Sequence, residues 1–313
     1  MIKKVMKTFA IQRCCSTPVF LKQYETSTDA VLRQFGVDVI DIRETGCCGY
    51  PLKNINVKAF VLSSARNLAL AEKKRLDMIT FCNCCYGSLK HVDHLLKTDT
   101  VLASEINAKL KKEKLTWQGR VAIRHLLDVL YDDIGLETIR GQLVNTFKNL
   151  NIATHYGCHL LRPLNVVGFD NPFSPSKFDR LIELTGAVSI PWSSKLECCG
   201  SPLWGVNDAL SAGITRKKVK SAVRAGADFL CTACPYCQLQ FDRVRRMTGS
   251  RPDDVVGPPS VLYTQLLGLC LGLGESSLGI GKNEMNCNGL LNFLTHSEQN
   301  GSVPQSTSRP ISP

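Results

Sequence analysis

Cys198-Cys199-Gly200-Ser201-Pro202, followed by Cys231-Thr232-Ala233-Cys234-Pro235-Tyr236-Cys237, is the part of the chain from which the rest can be read. Thirty-four residues separate the adjacent pair from the CxxC. The same arrangement stands earlier, as Cys47-Cys48-Gly49-Tyr50-Pro51, a gap of 33 residues, and Cys82-Asn83-Cys84-Cys85. Each pair is preceded by a further cysteine: 31 residues separate Cys15 from Cys47, and 39 separate Cys158 from Cys198. One five-cysteine pattern thus occurs twice, in order and at similar spacing, which a duplicated metal or redox site produces and chance does not.

Composition narrows the class. The 313 residues suffice for two domains with ordinary cores, and an apolar content of 44% is that of a globular protein. Fifteen cysteines are many. A secreted disulfide scaffold is expected to be short and to carry an export signal, whereas Met1 to Cys15 has only a broken apolar run and reads as a first strand. The apolar stretch near Leu266 to Leu273 is too short to span a bilayer. The expectation is a cytoplasmic protein in a reducing compartment, where clustered thiolates bind metal or do redox work. The net charge of +11 suits solvated helix faces, an anionic small substrate or an acidic partner. Nucleic acid is not expected, since no recognition motif accompanies the charge.

Periodicity places the cysteines. In the first half, strands are predicted at Met6 to Ile11, Val37 to Ile42 and Met78 to Phe81. Helices are predicted ending at Gly36, over Val57 to Lys74, and over Tyr86 to Leu96. In the second half, strands at Ile152 to Tyr156, Ala187 to Pro191 and Ala227 to Leu230 alternate with helices at Phe178 to Leu184, Asn207 to Ala225 and Gln238 to Arg246. The fold class is therefore α/β, two repeated βαβαβα units with parallel sheets, every cysteine group at the C-terminal end of a strand. That edge is where open parallel sheets bind ligands. Residues 1–105 and 151–274 form the two units. Residues 106–150 read as a helical connector, with helical spacing over Val121 to Leu130. Residues 275–313 read as a largely disordered tail.

The donor pattern points to metal. Tetrahedral zinc takes four ligands, and five cysteines per repeat is one too many, with adjacent cysteines awkward for one small ion. A polynuclear iron–sulfur cluster offers several vertices and can accept both members of an adjacent pair. Zinc in at least one repeat and thiol–disulfide chemistry stay open as alternatives. Cys14, Cys84 and Cys231 have a plain reading as small buried residues at strand ends, and Cys270 and Cys287 fall outside the pattern. His159, beside Cys158, is the candidate proton donor, with a structural role equally open. His155, His91 and His94 are expected to have no chemical role.

Together, Cys15-x-x-Pro18, Cys47-Cys48-Gly49, Cys82-x-x-Cys85-Tyr86-Gly87-Ser88-Leu89, Gly157-Cys158-His159, Cys198-Cys199-Gly200 and Cys234-Pro235-x-Cys237 resemble the B-type subunit of heterodisulfide reductase, a family of paired cysteine-rich "CCG" domains. Leu239-Gln240-Phe241-Asp242 and Tyr263 to Leu269 extend the resemblance over nearly the whole chain. It implies a noncubane [4Fe-4S] cluster in each repeat, the first held by Cys15, Cys47, Cys48, Cys82 and Cys85, the second by Cys158, Cys198, Cys199, Cys234 and Cys237. It also implies two-electron reduction of a disulfide placed between them, such as the anionic heterodisulfide of coenzyme M and coenzyme B, or a related disulfide or thiol. The implied partners are the small ferredoxin-like and the flavin-containing subunits of the same complex, in keeping with the lack of any GxGxxG or Walker motif for a flavin or nucleotide in this chain. Two features depart from the family pattern: Cys84 stands at a usual glycine, and Arg13-Cys14 precedes Cys15 in place of Leu-Gly. They leave open Cys14 against Cys15 and Cys84 against Cys85 as first-site ligands. A passive electron-transfer subunit and a zinc-bound structural module are the competing readings.

Overall fold

The computed structural model describes residues 7–248 and 257–296. Its strands in chain order are β1 (Lys7–Gln12), β2 (Val37–Ile40), β3 (Asp77–Thr80), β4 (Ile123–His125), β5 (Asn145–Phe147), β6 (Asn151–His155), β7 (Val188–Ser189), β8 (Phe229–Thr232), β9 (Ser260–Leu262) and β10 (Leu294–His296). They form two parallel four-stranded sheets, ordered β2-β1-β3-β4 and β7-β6-β8-β9, and a small antiparallel pair, β10-β5. Central strands such as β8 are buried at every position, as expected where helices cover a parallel sheet.

The crossover helices explain themselves locally. Helix Val57–Lys74 starts where the Asn56 side chain accepts from the Ala59 amide (3.0 Å), and it ends on Lys73 and Lys74, which favour the negative end of its dipole. Its counterpart, Asp208–Arg224, is capped in the same way by Asn207 on the Leu210 amide (3.0 Å). Buried apolar faces do the rest: Phe60, Val61, Ala65 and Leu68 join Phe9, Ile11, Met78 and Ile79 in the first core. Truncating one such side chain, Ile79→Ala for example, costs about 2–5 kcal/mol.

Three expectations change. Val121 to Leu130, read as helical, instead begins with β4, paired through Met78↔Ile123 and Thr80↔His125, and turns helical only at Leu126. Its apolar residues face a sheet on one side and a helix cover on the other, so their spacing imitates a single helix. Each unit therefore has a fourth strand, and β9 is the second one's. The helix expected at Gln238 to Arg246 begins at Pro235 and widens to π geometry over Gln240–Val244 before continuing to Thr248. Finally, residues 275–296 of the expected tail are ordered, because Leu278, Ile280, Cys287 and Leu290 are buried and β10 pairs with β5. Residues 297–313, the rest of that expected tail, lie outside the described residues.

The two units interlock. Helix Tyr263–Cys270, which follows β9 of the second sheet, packs on helix Lys22–Gln34 of the first unit, with Ser27 and Thr264 hydroxyls 2.7 Å apart. Reciprocally, the segment after β4 reaches helix Lys177–Leu184 of the second unit: Lys177 pairs with Asp132 (2.8 Å), and Arg180 donates to the Tyr131 hydroxyl (3.0 Å). At the seam, Asn83 Nδ2 donates to Tyr156 O (2.8 Å) and Tyr86 donates to Val167 O (3.1 Å). In both sheets the chain's direction of winding reverses between the first and third strands, a topological switch point that leaves a crevice at the C-terminal edge. The two crevices meet.

Candidate metal centre

Each Cys-Cys-Gly turn is built on a close helix contact. Gly49 (φ +82°) and Gly200 (φ +96°) are left-handed, and an added Cβ would lie 2.9 Å from Phe60 O and 2.7 Å from Ser211 O. Glycine is thus required twice over. Ser64 Oγ donates to Cys48 O (2.6 Å), and Thr215 Oγ1 to Cys199 O (3.0 Å). The following amides, Gly49 N and Gly200 N, lie 3.4 Å from Cys47 Sγ and Cys198 Sγ. The CxxC groups are equally alike. Cys82 and Cys234 are the N-cap residues of their helices, and their amides donate to Thr80 Oγ1 (3.3 Å) and Thr232 Oγ1 (3.2 Å).

These turns bring all ten predicted cysteines to the meeting edge. Cys48, Cys82, Cys85, Cys199, Cys234 and Cys237 are buried, Cys158 and Cys198 are half-buried, and Cys15 and Cys47 stand at the exposed rim. Two more thiols join them. Cys14 is buried, with Cys82 and Cys85 sulfurs within 4.8 Å, and Cys84 makes a similar triad with Cys82 and, from the other unit, Cys234. Cys84 and Cys234 therefore carry the sulfur array across the seam.

Thiols this close share few charges. Hydrogen bonds from Cys15 and Cys48 pull Cys47 down to about 3, and those from Cys158 and Cys199 pull Cys198 down to about 2. Burial pushes Cys82 up, but Cys14, Cys84 and Cys85 override it and bring the thiol to about 6. Their partners move the other way: hydrogen bonding to Cys198 and then burial raise Cys158, and donation toward Cys198 raises Cys199 to about 12. Most of the array thus stays protonated until a cation supplies compensating charge. Such a donor set fits a thiophilic metal or metal–sulfur group, and twelve contiguous sulfurs exceed what one or two tetrahedral zinc ions use.

Other predicted residues take definite places. The His159 ring meets Tyr50 edge-on (5.0 Å), and burial lowers its pKa. It lines a narrow cleft of about 20 Å³ with Asn83, Cys84, Cys158, Cys199 and Tyr236. Cys231 lies in β8 with its thiol raised by burial alone, while Cys270 and Cys287 point to Thr185 O and Ser260 O (both 3.6 Å). His155, expected to be inert, has Nε2 3.2 Å from Cys237 Sγ and forms a third triad with Cys199 and Cys237. Lys218, also unforeseen, is fully buried behind the second Cys-Cys pair. Both were findable, since Cys158 minus three and Cys199 plus nineteen are the positions that Gln12 and Asn67 hold in the first repeat.

The cysteine-rich (CCG) domain profile matches residues 6–90 and 152–242, more than half of the chain. The chain belongs to the CCG family. Within it, the chain is similar to the B-type subunits of heterodisulfide reductases. It is 33% identical over 283 residues to that of the ferredoxin/F420H2-dependent CoB–CoM heterodisulfide reductase of Methanosarcina acetivorans, covering 89% of this chain and 94% of that one. A second CCG relative, the 8-methylmenaquinol:fumarate reductase membrane anchor subunit of Wolinella succinogenes, is 28% identical over 89% of this chain and 97% of its own. A solved structure, a hypothetical protein from Helicobacter pylori, shares the fold with a TM-score of 0.71 at 18% identity. That match covers 89% of this CCG chain but 52% of the solved one. The relatives are subunits of oxidoreductase complexes, and this chain is a subunit of that type. Among the described residues, no helix is long and apolar enough to cross a membrane.

Proposed function

We propose that this protein reduces or forms a disulfide at the seam between its two cysteine sites, within a complex that also holds a flavin-containing and a ferredoxin-like subunit. The observation that carries the reading is the sulfur array itself: two five-cysteine sets on separate sheets, meeting through Cys84 and Cys234. The ligand sets are Cys15, Cys47, Cys48, Cys82 and Cys85 in a first domain that runs past residue 105 to take in β4, and Cys158, Cys198, Cys199, Cys234 and Cys237 in a second spanning 151–274. The residues between β4 and 151 connect them. When bound, a noncubane [4Fe–4S] group in each set would exchange one electron, so that two together meet the two-electron demand of an S–S bond.

The chain's own residues orient and protonate. The overall step, R–S–S–R′ plus two electrons and two protons giving RSH and R′SH, needs a proton for each sulfur. His159 is neutral near pH 7, because burial disfavours its charged form, and it can relay a proton once thiolate charge at Cys198 favours imidazolium. Tyr50 and Tyr236, whose phenols burial keeps protonated, flank it from the two units, with their rings 6.0 Å apart. The net charge of +11 suits an anionic substrate, such as the coenzyme M–coenzyme B heterodisulfide named for the Methanosarcina relative.

A second reading has its own observation. His155, Cys199 and Cys237 make a mixed nitrogen–sulfur triad of the kind zinc takes, which would leave the second unit structural. Anaerobic metal and acid-labile sulfide analysis separates the two, combined with EPR after oxidation in the presence of candidate thiols. About eight irons with matching sulfide per chain, and a thiol-dependent signal, are expected. Zinc without sulfide in either unit would overturn the catalytic reading.

A further inference from the structure

The two cysteine sites are built alike yet wired to different charges. Nineteen residues after the second cysteine of each pair, on the helix that packs beneath it, stands Asn67 in one unit and Lys218 in the other. Each holds the loop that leads into the cysteines. Asn67 does so as a neutral amide, with Nδ2 donating to Gly46 O (2.9 Å), Cys47 O (3.3 Å) and Gln12 Oε1 (3.0 Å), and Oδ1 accepting from Gly46 N (3.0 Å). Lys218 does it as a cation: its ammonium donates to Ser194 O and to Glu197 O (3.0 Å), and lies over the Trp192 ring at 4.7 Å. The side chain is fully buried.

A buried ammonium needs an anion close by. The Glu197 carboxylate, exposed and engaged with Lys217 (3.3 Å), supplies part of that charge, and the sulfurs of Cys198, Cys199 and Cys237 supply the rest once a thiolate or a metal–sulfur group carries it there. Burial lowers the Lys218 pKa to about 8, against the opposing pull of Cys199, Cys237, Glu197 and Cys198. A second polar group lies against the same sulfurs. His155, whose counterpart is Gln12, sets Nε2 against Cys237 Sγ at 3.2 Å. In the first unit the charge nearest in sequence to a cysteine, Arg13, is already matched by Asp29 and Asp41.

We propose that Lys218 makes the second cysteine site the better electron acceptor of the two, because its charge stabilises the more anionic, reduced state there, and among the described residues no buried lysine or arginine stands in the first unit. One-electron reduction of a thiolate-bound metal group adds one negative charge and makes or breaks no bond. A fixed cation beside one site but not the other therefore separates the two potentials. The inference rests on the proposed metal–sulfur reading for its electron-transfer form, and on the fold alone for its thiolate form. Lys218 acts through the cysteines and is a positioning residue.

The test uses the whole chain in two states. In the metal-loaded protein, titration with dithionite followed by EPR is expected to show the second site reduced first. Lys218→Asn and Lys218→Met should cut the ratio of the two reduction equilibria at least tenfold, about 59 mV for a one-electron couple. Lys218→Arg should restore the separation. In metal-stripped full-length chain, iodoacetamide labelling mapped by mass spectrometry should slow roughly tenfold at Cys199 in the neutral variants, with Cys47 and Cys48 unchanged as the internal control for folding. Loss of labelling selectivity in both units together, or potentials and labelling rates unmoved by Lys218→Met, would overturn the proposal. Absence of iron from the wild type would sink the cluster reading while leaving the labelling outcome to decide on Lys218.

Discussion

The first unit gathers seven thiols around neutral amides, and the second gathers five around a buried lysine and a histidine. The two differ little in backbone. Both place Cys-Cys-Gly on a left-handed glycine against a helix that asparagine caps, and both hang the CxxC from a threonine hydroxyl. The scaffold has been kept, and the electrostatics have moved. Positions near the metal-binding edge, Gln12/His155, Cys14/Gly157, Asn67/Lys218 and Cys84/Tyr236, are where the halves part.

Breaking the shared scaffold should give the largest effects. Gly49→Ala and Gly200→Ala are each expected to cost about 2–3 kcal/mol in denaturant unfolding, from left-handed strain plus a backbone clash. Gly200→Ala should be the worse, its Cβ lying 2.7 Å from Ser211 O against 2.9 Å from Phe60 O for Gly49→Ala. Equal and negligible losses would mean that the turns are not rigid templates.

The acid response of one buried imidazole in the first unit comes next. His125 ends β4, where the second unit has Leu262 at the end of β9, and burial lowers its pKa to about 3. The folded chain then refuses a proton that the unfolded chain takes up below about pH 6.5. Stability is full above that pH and falls toward pH 3, with about 2 kcal/mol gone by pH 5. His125→Gln should flatten the slope of stability against pH over that window, and an unchanged slope would place the acid sensitivity elsewhere.

The seam comes third. Asn83→Ala removes the bond to Tyr156 O and leaves a buried carbonyl unpaired, for a loss of about 1–2 kcal/mol. Pro235→Ala, at the equivalent place, should change little, and similar losses for both would refute a one-sided latch. The smallest contrast is between two hydroxyls. Ser64→Ala loses one bond to Cys48 O and about 1 kcal/mol, whereas Thr215→Val loses the bond to Cys199 O and also one of the two acceptors of Gln240 Nε2 (2.7 Å), leaving it Ser211 Oγ alone, and should cost more.

Much of this was legible beforehand. Paired spacing gave the duplication, and the alternation of strand and helix periods gave the parallel sheets and the edge where all ten cysteines lie, because strand-end position is a local property of the chain. The fourth strands were not legible: Ile123–His125 is three residues long and runs into a helix, so no alternation has room to show. The ordered segment 275–296 was missed because its few apolar residues are spaced for a neighbour's surface rather than for their own period. Cys14 and Cys84 looked like bystanders since adjacency in sequence does not reveal which of two neighbouring sulfurs turns inward. Lys218 was hidden by its type, as a lysine in a basic helix reads as solvent-facing until its helix is seen against Ser194 and Glu197.

The exchange of helices between the units has a consequence for their history and their independence. Helix Tyr263–Cys270 belongs by connection to one sheet and by packing to the other half, and the segment after β4 returns the gesture. Two separate copies of such a half would have had to embrace to cover their own cores, so the arrangement is that of a domain-swapped dimer written into one chain. Fusion freed each copy from symmetry, and mutations could then reach one site without being mirrored in the other. A lysine on one side and an asparagine on the other is a difference that no homodimer could hold.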